Sequence, residues 1–388
     1  MKTPGRQRDL GNKRTRRPSY LQQHGQLPVT LSQGLTQSHL PSLDGLRAVA
    51  VSFVVLYHLR LPGVSGGTGV LVFFVLSGFL ITWLLLKEEE RFGVISLKLF
   101  YLRRTLRIFP AFYVYWFLLV GSLVLFSKRL VIGQAICSLL YVNNYYQAIF
   151  GDPNTGLSHT WSLGIEEQFY VLWPVTFLLL KENQRRIRFL LVSIAMVWLY
   201  RELLVFVWHD PQAYIYEAFD TRADHLMIGC LLAVALREGV WTRLWQLVVS
   251  APSMIWVTFG CLVVSSAAGY RFGALYRDSI SFILDPILTV ILMVQAIAHS
   301  SGALGSVLNW RWVRYLGAIS YSIYLYHQVT MGTVQKLTRH LPVVSPVAAV
   351  AAAIAVASAS YWLVEQPLQR TRARFSPGRR QDNVAASG

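Results

Sequence analysis

Leu43-Asp44-Gly45-Leu46-Arg47-Ala48 opens an apolar run that ends near His58. Arg47 and His58 are eleven residues apart. On one helix that is about three turns and about 16 Å along the axis, so both side chains face broadly the same way. A guanidinium can hold an anion and an imidazole can move a proton. A snorkelling arginine and a packing histidine account for the same pair. Further on, Tyr101-Leu-Arg103-Arg104-Thr-Leu-Arg107-Ile-Phe-Pro110 leads into a second apolar run. Arg104 and Arg107 share a helix face, and two guanidiniums there suit phosphates. A basic anchor at a membrane entry is the alternative, and Arg103, which points elsewhere, is assigned to it.

Residues 158–170 read Ser-His-Thr-Trp-Ser-Leu-Gly-Ile-Glu-Glu-Gln-Phe-Tyr. Glu166 and Glu167 are neighbours, so only one can face a bundle interior. A carboxylate beside an imidazole orients it and stabilises its protonated form, as a general base requires. The alternative is an acid favourably placed near a helix N-terminus. Tyr324 and His327 share a face and suit a pocket wall, or His327 serves as a hydrogen bonder between helices. Asp285 precedes Pro286, so it faces a cavity or bonds backbone groups that the proline frees. Asp224 is read as a helix cap, and Arg201-Glu202 is assigned to helix packing.

The elements that must position these groups follow from composition. The chain has 388 residues, 54% hydrophobic and 14% charged, with 36 basic residues against 19 acidic. A soluble domain carries about 45–50% apolar and about 25% charged residues, so a soluble enzyme and a disordered protein are both excluded. The net charge of +17 would suit nucleic acid, but the basic residues sit between and outside eleven long apolar stretches. The chain reads as all-α, a polytopic membrane helix bundle. Of the eleven stretches, 130–149 is the poorest, interrupted by Gln134, Asn143, Asn144 and Gln147.

Charge asymmetry decides whether that stretch crosses. With a cytoplasmic N-terminus and 130–149 not spanning, 26 of the 36 basic residues fall on the cytoplasmic side and eight outside. If it crossed, the Lys181–Arg188 cluster and the basic C-tail would be outside. The expectation is therefore about ten transmembrane helices with both termini cytoplasmic. Residues 1–42 are expected as a basic disordered N-tail without a cleavable signal, 43–368 as the transmembrane domain, and 369–388 as a basic C-tail. Cys137, Cys230 and Cys261 are read as packing thiols. Gly66-Gly67-Thr68-Gly69 lacks the lysine of a phosphate loop. No internal repeat or metal spacing is visible.

Taken in order, these segments resemble the membrane-bound acyltransferase family 3, O-acyltransferases of glycans and glycosylated metabolites. The resemblance covers about 43–368. It rests on Leu43–Arg47 with His58, Phe73-Phe74-Val-Leu-Ser77-Gly78-Phe79-Leu-Ile, Tyr101–Pro110, Trp161–Tyr170, Arg222-Ala-Asp224 and Gly317–His327. It implies ten helices, a cytoplasmic acyl-CoA donor (acetyl-CoA in the first instance), a hydroxyl acceptor and no metal. It also implies a member without the fused hydrolase-like domain that some relatives carry. The family's first-helix Arg and His map onto Arg47 and His58, and its paired arginines onto Arg104 and Arg107.

The expected reaction has Arg47, Arg104 and Arg107 holding the donor's phosphates. His58 takes a proton from a hydroxyl of a cell-surface glycan or glycosylated macrolide, and Glu166 orients His58. Glu167, Tyr324, His327 and Asp285 are assigned to the acceptor. Ser77-Gly78 is read as close helix packing, since no nucleophile-elbow pattern surrounds Ser77. The rival is a transporter or flippase of a glycan or lipid, in which the same His, Glu and Arg would relay protons.

Overall fold

The computed structural model describes residues 27–37, 40–209, 212–300 and 302–372, and among them no strand occurs. Ten helices have 17 residues or more. They are α1 Pro41–His58, α2 Gly66–Phe92, α3 Leu97–Leu125, α4 Thr160–Leu179, α5 Asn183–Leu203, α6 Phe219–Glu238, α7 Met254–Leu275, α8 Phe282–Ala298, α9 Ser320–Leu337 and α10 Val344–Ser360. The protein is a polytopic membrane bundle. Its N- and C-terminal basic tails, residues 1–26 and 373–388, lie outside the described residues.

Five stretches are long and apolar enough to cross a membrane, and two bent helix pairs raise the number to seven. One of the five, Met254–Ala298, has 45 residues. As a straight helix it would reach about 68 Å, more than twice the roughly 30 Å hydrocarbon core. It breaks at Gly273, whose φ is +74°, and so supplies two passes, α7 and α8. The bent pairs contain α1 and α6. What remains is α4 and α9, which fall short of the apolar criterion because they carry Glu166, Glu167 and Gln168, and His327, Gln328 and Lys336. The two helices least like lipid-facing spans both line the cavities described below.

The centre of the bundle is α2, 83% of whose apolar window is buried, whereas α3, α5 and α10 are 22% buried and face outward. Its closest neighbours are α6 and α1. Contact with α6 is backbone to backbone: a Cβ on Gly78 would lie 1.9 Å from the Leu226 carbonyl oxygen, and one on Gly229 2.0 Å from that of Val75. Small residues thus allow the crossing, as the Ser77-Gly78 pair suggests.

Residues 130–149 form two eight-residue helices, Ile132–Leu139 and Asn143–Phe150, each about 12 Å long and too short to span. The polar residues that interrupt the run hold the start of α4. Asn143 donates from Nδ2 to the Leu157 carbonyl (3.1 Å) and Thr160 Oγ1 (2.8 Å), and Gln147 donates to the Ser158 carbonyl (2.9 Å).

Two expectations need correction here. Part of the expected disordered tail is a helix, Val29–Thr36, because Leu27, Leu31 and Leu35 recur every four residues and bury one face against α8. Asp224 is not a cap but one partner of an ion pair between helices. Arg201 on α5 donates to Asp224 on α6 (3.0 Å) and to the Thr221 carbonyl (2.8 Å), with both charged side chains fully buried. Neighbours along a helix diverge, whereas residues on facing helices can meet. Cys137, Cys230 and Cys261 are free thiols.

Candidate functional site

Two cavities lie inside the bundle. The first, of about 420 Å3, is lined by Arg47, Arg104 and Arg107, with Ser77, Glu166 and Glu365 among them. The second, of about 770 Å3, is lined by His58, His159 and His327. Val70 and Tyr324 line both, so the two chambers adjoin there. Several helices run from one chamber to the other. Arg47, in the second turn of α1, lines the first chamber, and His58, the last residue of that helix, lines the second. On α9, Tyr321 faces the arginines, Tyr324 the junction and His327 the histidines.

In the arginine cavity three guanidiniums come from two helices, α1 and α3. That of Arg104 lies over the Tyr170 ring, 4.1 Å from its centroid. The Nε atoms of Arg47 and Arg104 are buried without a hydrogen-bond partner. Arg103 leaves this cluster and pairs with Glu88 at 2.5 Å, in keeping with an anchoring role. Two carboxylates complete the wall. Glu166 accepts from Ser77 Oγ at 2.7 Å, and Glu365 accepts from Ser322. Such a cluster is preorganised for a polyanion, since arginine presents a planar fork of donors to phosphate.

The histidine cavity is organised by tautomer. Nδ1 of His58 faces the Val54 carbonyl (2.8 Å), Nδ1 of His327 the Tyr324 carbonyl (2.7 Å), and Nδ1 of His159 the Gln328 Oε1 (3.0 Å). Each partner, with the Gln328 amide oriented this way, is an oxygen that only accepts. A neutral ring therefore carries its proton on Nδ1 and offers a lone pair at Nε2. The His58 and His327 rings are 4.5 Å apart and those of His159 and His327 5.6 Å apart. Tyr324 hydrogen-bonds Ser162 (2.6 Å) and the His159 carbonyl (3.1 Å), which ties α9 to the start of α4. Among the described residues no group of three or more His, Cys, Asp or Glu side chains is arranged to hold a metal ion.

Arg47, Arg104 and Arg107 are brought together, and His58, Tyr324 and His327 share the other chamber. Three other assignments do not hold. Glu166 does not orient His58; it lines the arginine cavity, because six residues from Thr160 carry it about 9 Å down α4. Glu167 lines neither cavity: it is turned about 100° from Glu166 around α4, and its Oε1 is buried without a hydrogen-bond partner among the described residues. Asp285 also lines neither: it accepts from Ser265 (2.5 Å) and Ser281 (2.7 Å) and joins α7 to α8. Sequence reasoning did not assign His159, Ser77 or Glu365 to the site, although His159 and Ser77 stand in segments quoted above. Glu217, which lies outside those motifs, was missed without a local signal.

The model of an acyltransferase domain family matches residues 40–365, which takes in Arg47, Arg104 and Arg107 of the first cavity and His58, His159 and His327 of the second. The chain belongs to this acyltransferase family. Among similar proteins, one of Bacillus subtilis (strain 168) named "Putative peptidoglycan O-acetyltransferase YrhL" is 36% identical over 322 residues, 75% of this chain and 49% of that protein. Peptidoglycan O-acetyltransferase OatA of Listeria monocytogenes is 32% identical over 356 residues, 86% of this chain and 56% of that protein. The chain thus spans about half the length of the curated relatives it matches. No solved structure matches. The chain is a multi-pass protein of the bacterial cell membrane, and its membership of an acyltransferase family gives no support to the transporter reading.

Proposed function

We propose that the protein is an acyl-CoA-dependent O-acetyltransferase that takes its acyl group from the cytoplasmic side and passes it to a glycan hydroxyl on the other. The observation that carries this reading is the pair of adjoining chambers, one basic and one histidine-lined, both lined in part by α1. Donor phosphates rest on Arg47, Arg104 and Arg107, and the pantetheine arm runs past Val70 and Tyr324. The thioester then lies near His58, about 16 Å above Arg47. The basic-residue distribution supports this orientation, with both termini cytoplasmic. The names of the bacterial relatives favour a peptidoglycan acceptor over a macrolide.

Within this reading His58 Nε2 takes the proton of the acceptor hydroxyl as its oxygen attacks the thioester carbonyl. The C–S bond breaks, the ester forms, and the departing thiolate receives the proton. Direct transfer is favoured over an acyl-enzyme. Ser77 is seven residues from the junction at Val70, about 10 Å along α2, on the arginine side and remote from the imidazoles.

Sided membrane vesicles test donor, orientation and chemistry together. Inverted vesicles given labelled acetyl-CoA, which does not cross membranes, should form alkali-labile acetyl esters on glycan, while right-side-out vesicles should not. Ester formation only in right-side-out vesicles would reverse the orientation. The absence of ester in both, with active protein, would remove acetyl-CoA as donor.

A further inference from the structure

The far wall of the histidine cavity is built unlike the rest of it. Tyr216 and Glu217 close a short helix, Gln212–Glu217, and Trp161 stands in the first turn of α4. All three line the cavity. The Trp161 and Tyr216 rings are 5.0 Å apart and tilted by 52°, which forms an aromatic corner. Glu217 is 7% exposed, yet its Oε2 is buried with no hydrogen-bond partner. A buried, unsatisfied carboxyl oxygen weakens a fold, so the folded protein alone gives no reason to keep it.

The corner is also fixed from behind. Trp161 meets Phe74 edge-on at 6.2 Å, and Tyr216 packs on Phe282 at 6.0 Å. Between these rings lies Arg222, fully buried, its guanidinium 3.8 Å from the Phe282 centroid, 5.0 Å from Tyr216 and 5.7 Å from Trp161. None of its three side-chain nitrogens has a hydrogen-bond partner among the described residues. Its charge is held by aromatic faces, and in return it immobilises them.

We infer that Trp161, Tyr216 and Glu217 form a pyranose subsite for the acceptor, with Arg222 as a positioning residue behind it. A pyranose ring has an apolar face whose C–H groups carry partial positive charge and meet the negative face of an aromatic ring. Its fringe of hydroxyl and amide N–H groups needs acceptors, and Glu217 Oε2 is an acceptor in want of a donor. The pairing of a rigid aromatic corner with one convergent polar group is the usual build of a small-molecule site. This inference rests on the reading that the histidine cavity takes the acceptor.

Saturation-transfer NMR on the purified full chain, with a soluble β-1,4-linked N-acetylglucosamine oligomer and no donor, tests it directly. The wild type should saturate the sugar ring protons. Glu217→Ala and Trp161→Leu should each weaken binding tenfold or more, whereas Trp161→Phe should retain most of it. The melting temperature of Glu217→Ala should not fall, because the variant loses an unsatisfied buried group, and this separates a binding role from a structural one. No saturation in the wild type, or equal binding by all variants, would overturn the subsite. Acetyl transfer to the same oligomer, measured in parallel, reports on the enzymatic reading. Binding without transfer would sink that reading and leave the subsite standing.

Discussion

His58 and Arg104 belong to different chambers, so their loss should leave different signatures. His58→Ala removes the imidazole without creating a large cavity, since His58 is only partly buried at the end of α1. The variant should remain folded in membranes and lose acyl transfer by at least about 100-fold, the lower range for general-base catalysis. Transfer near the wild-type rate would take His58 out of the mechanism and turn attention to His327, whose ring is 4.5 Å away. Arg104→Ala should instead raise the donor KM about tenfold, the effect of losing roughly 1.5 kcal/mol of charge-assisted hydrogen bonding. The acceptor KM should not move. An equal rise in both would return Arg104 to stacking on Tyr170. Arg47 with His58, and Arg104 with Arg107, were legible because each pair lies within one helix, where rise and angle per residue are fixed. Glu166 was misread because depth across helices depends on where each begins. His159 and Glu217 were overlooked because one precedes α4 and the other closes a six-residue helix, where no periodic pattern points inward.

At the scale of the elements, the α2–α6 crossing seats α2, which lines the arginine cavity and reaches the junction at Val70. Both Gly78 and Gly229 are in contact with backbone, which cannot rotate away as a side chain can. Gly229→Ala places a Cβ 2.0 Å from the Val75 carbonyl oxygen and 2.7 Å from the Phe79 amide nitrogen. The helices must separate, and overpacking of this kind destabilises by about 1–3 kcal/mol. The expected result is a lower melting temperature in detergent. Because Ser77 and Val70 ride on α2, reduced transfer should accompany it. Gly260 on α7 is the control: a Cβ there meets nothing within 4 Å, and the better helix propensity of alanine should leave Gly260→Ala at least as stable as the wild type. Equal behaviour of the two variants would mean that the crossing tolerates separation. Charge sorting read 130–149 as not spanning, and the two helices there are each too short to cross. It did not foresee that Asn143 and Gln147, which spoil the span, are the residues that pin the start of α4.

For the whole molecule the question is how one reaction can use two compartments. In the proposed reaction the phosphates of the donor stay with the arginines while its thioester must reach the histidines, so everything passes the junction at Val70 and Tyr324. Val70 is 7% exposed and sits one residue beyond Gly69, where α2 touches α1 most closely. Replacing it with a larger side chain should narrow the passage and leave the arginine cluster intact. Val70→Phe is therefore expected to lower transfer by an order of magnitude or more, with Val70→Trp lower still. Acetyl-CoA binding, measured by calorimetry on the detergent-solubilised protein, should stay within about threefold of the wild type, because the phosphate contacts that dominate affinity are untouched. A misfolded variant would lose both properties, so retained donor binding distinguishes a blocked passage from a damaged bundle. If Val70→Trp transferred acetyl groups normally, the thioester would not pass between the chambers. The acceptor would then have to descend to the arginine side, where Ser77 and Glu166 rather than His58 would be the groups within reach.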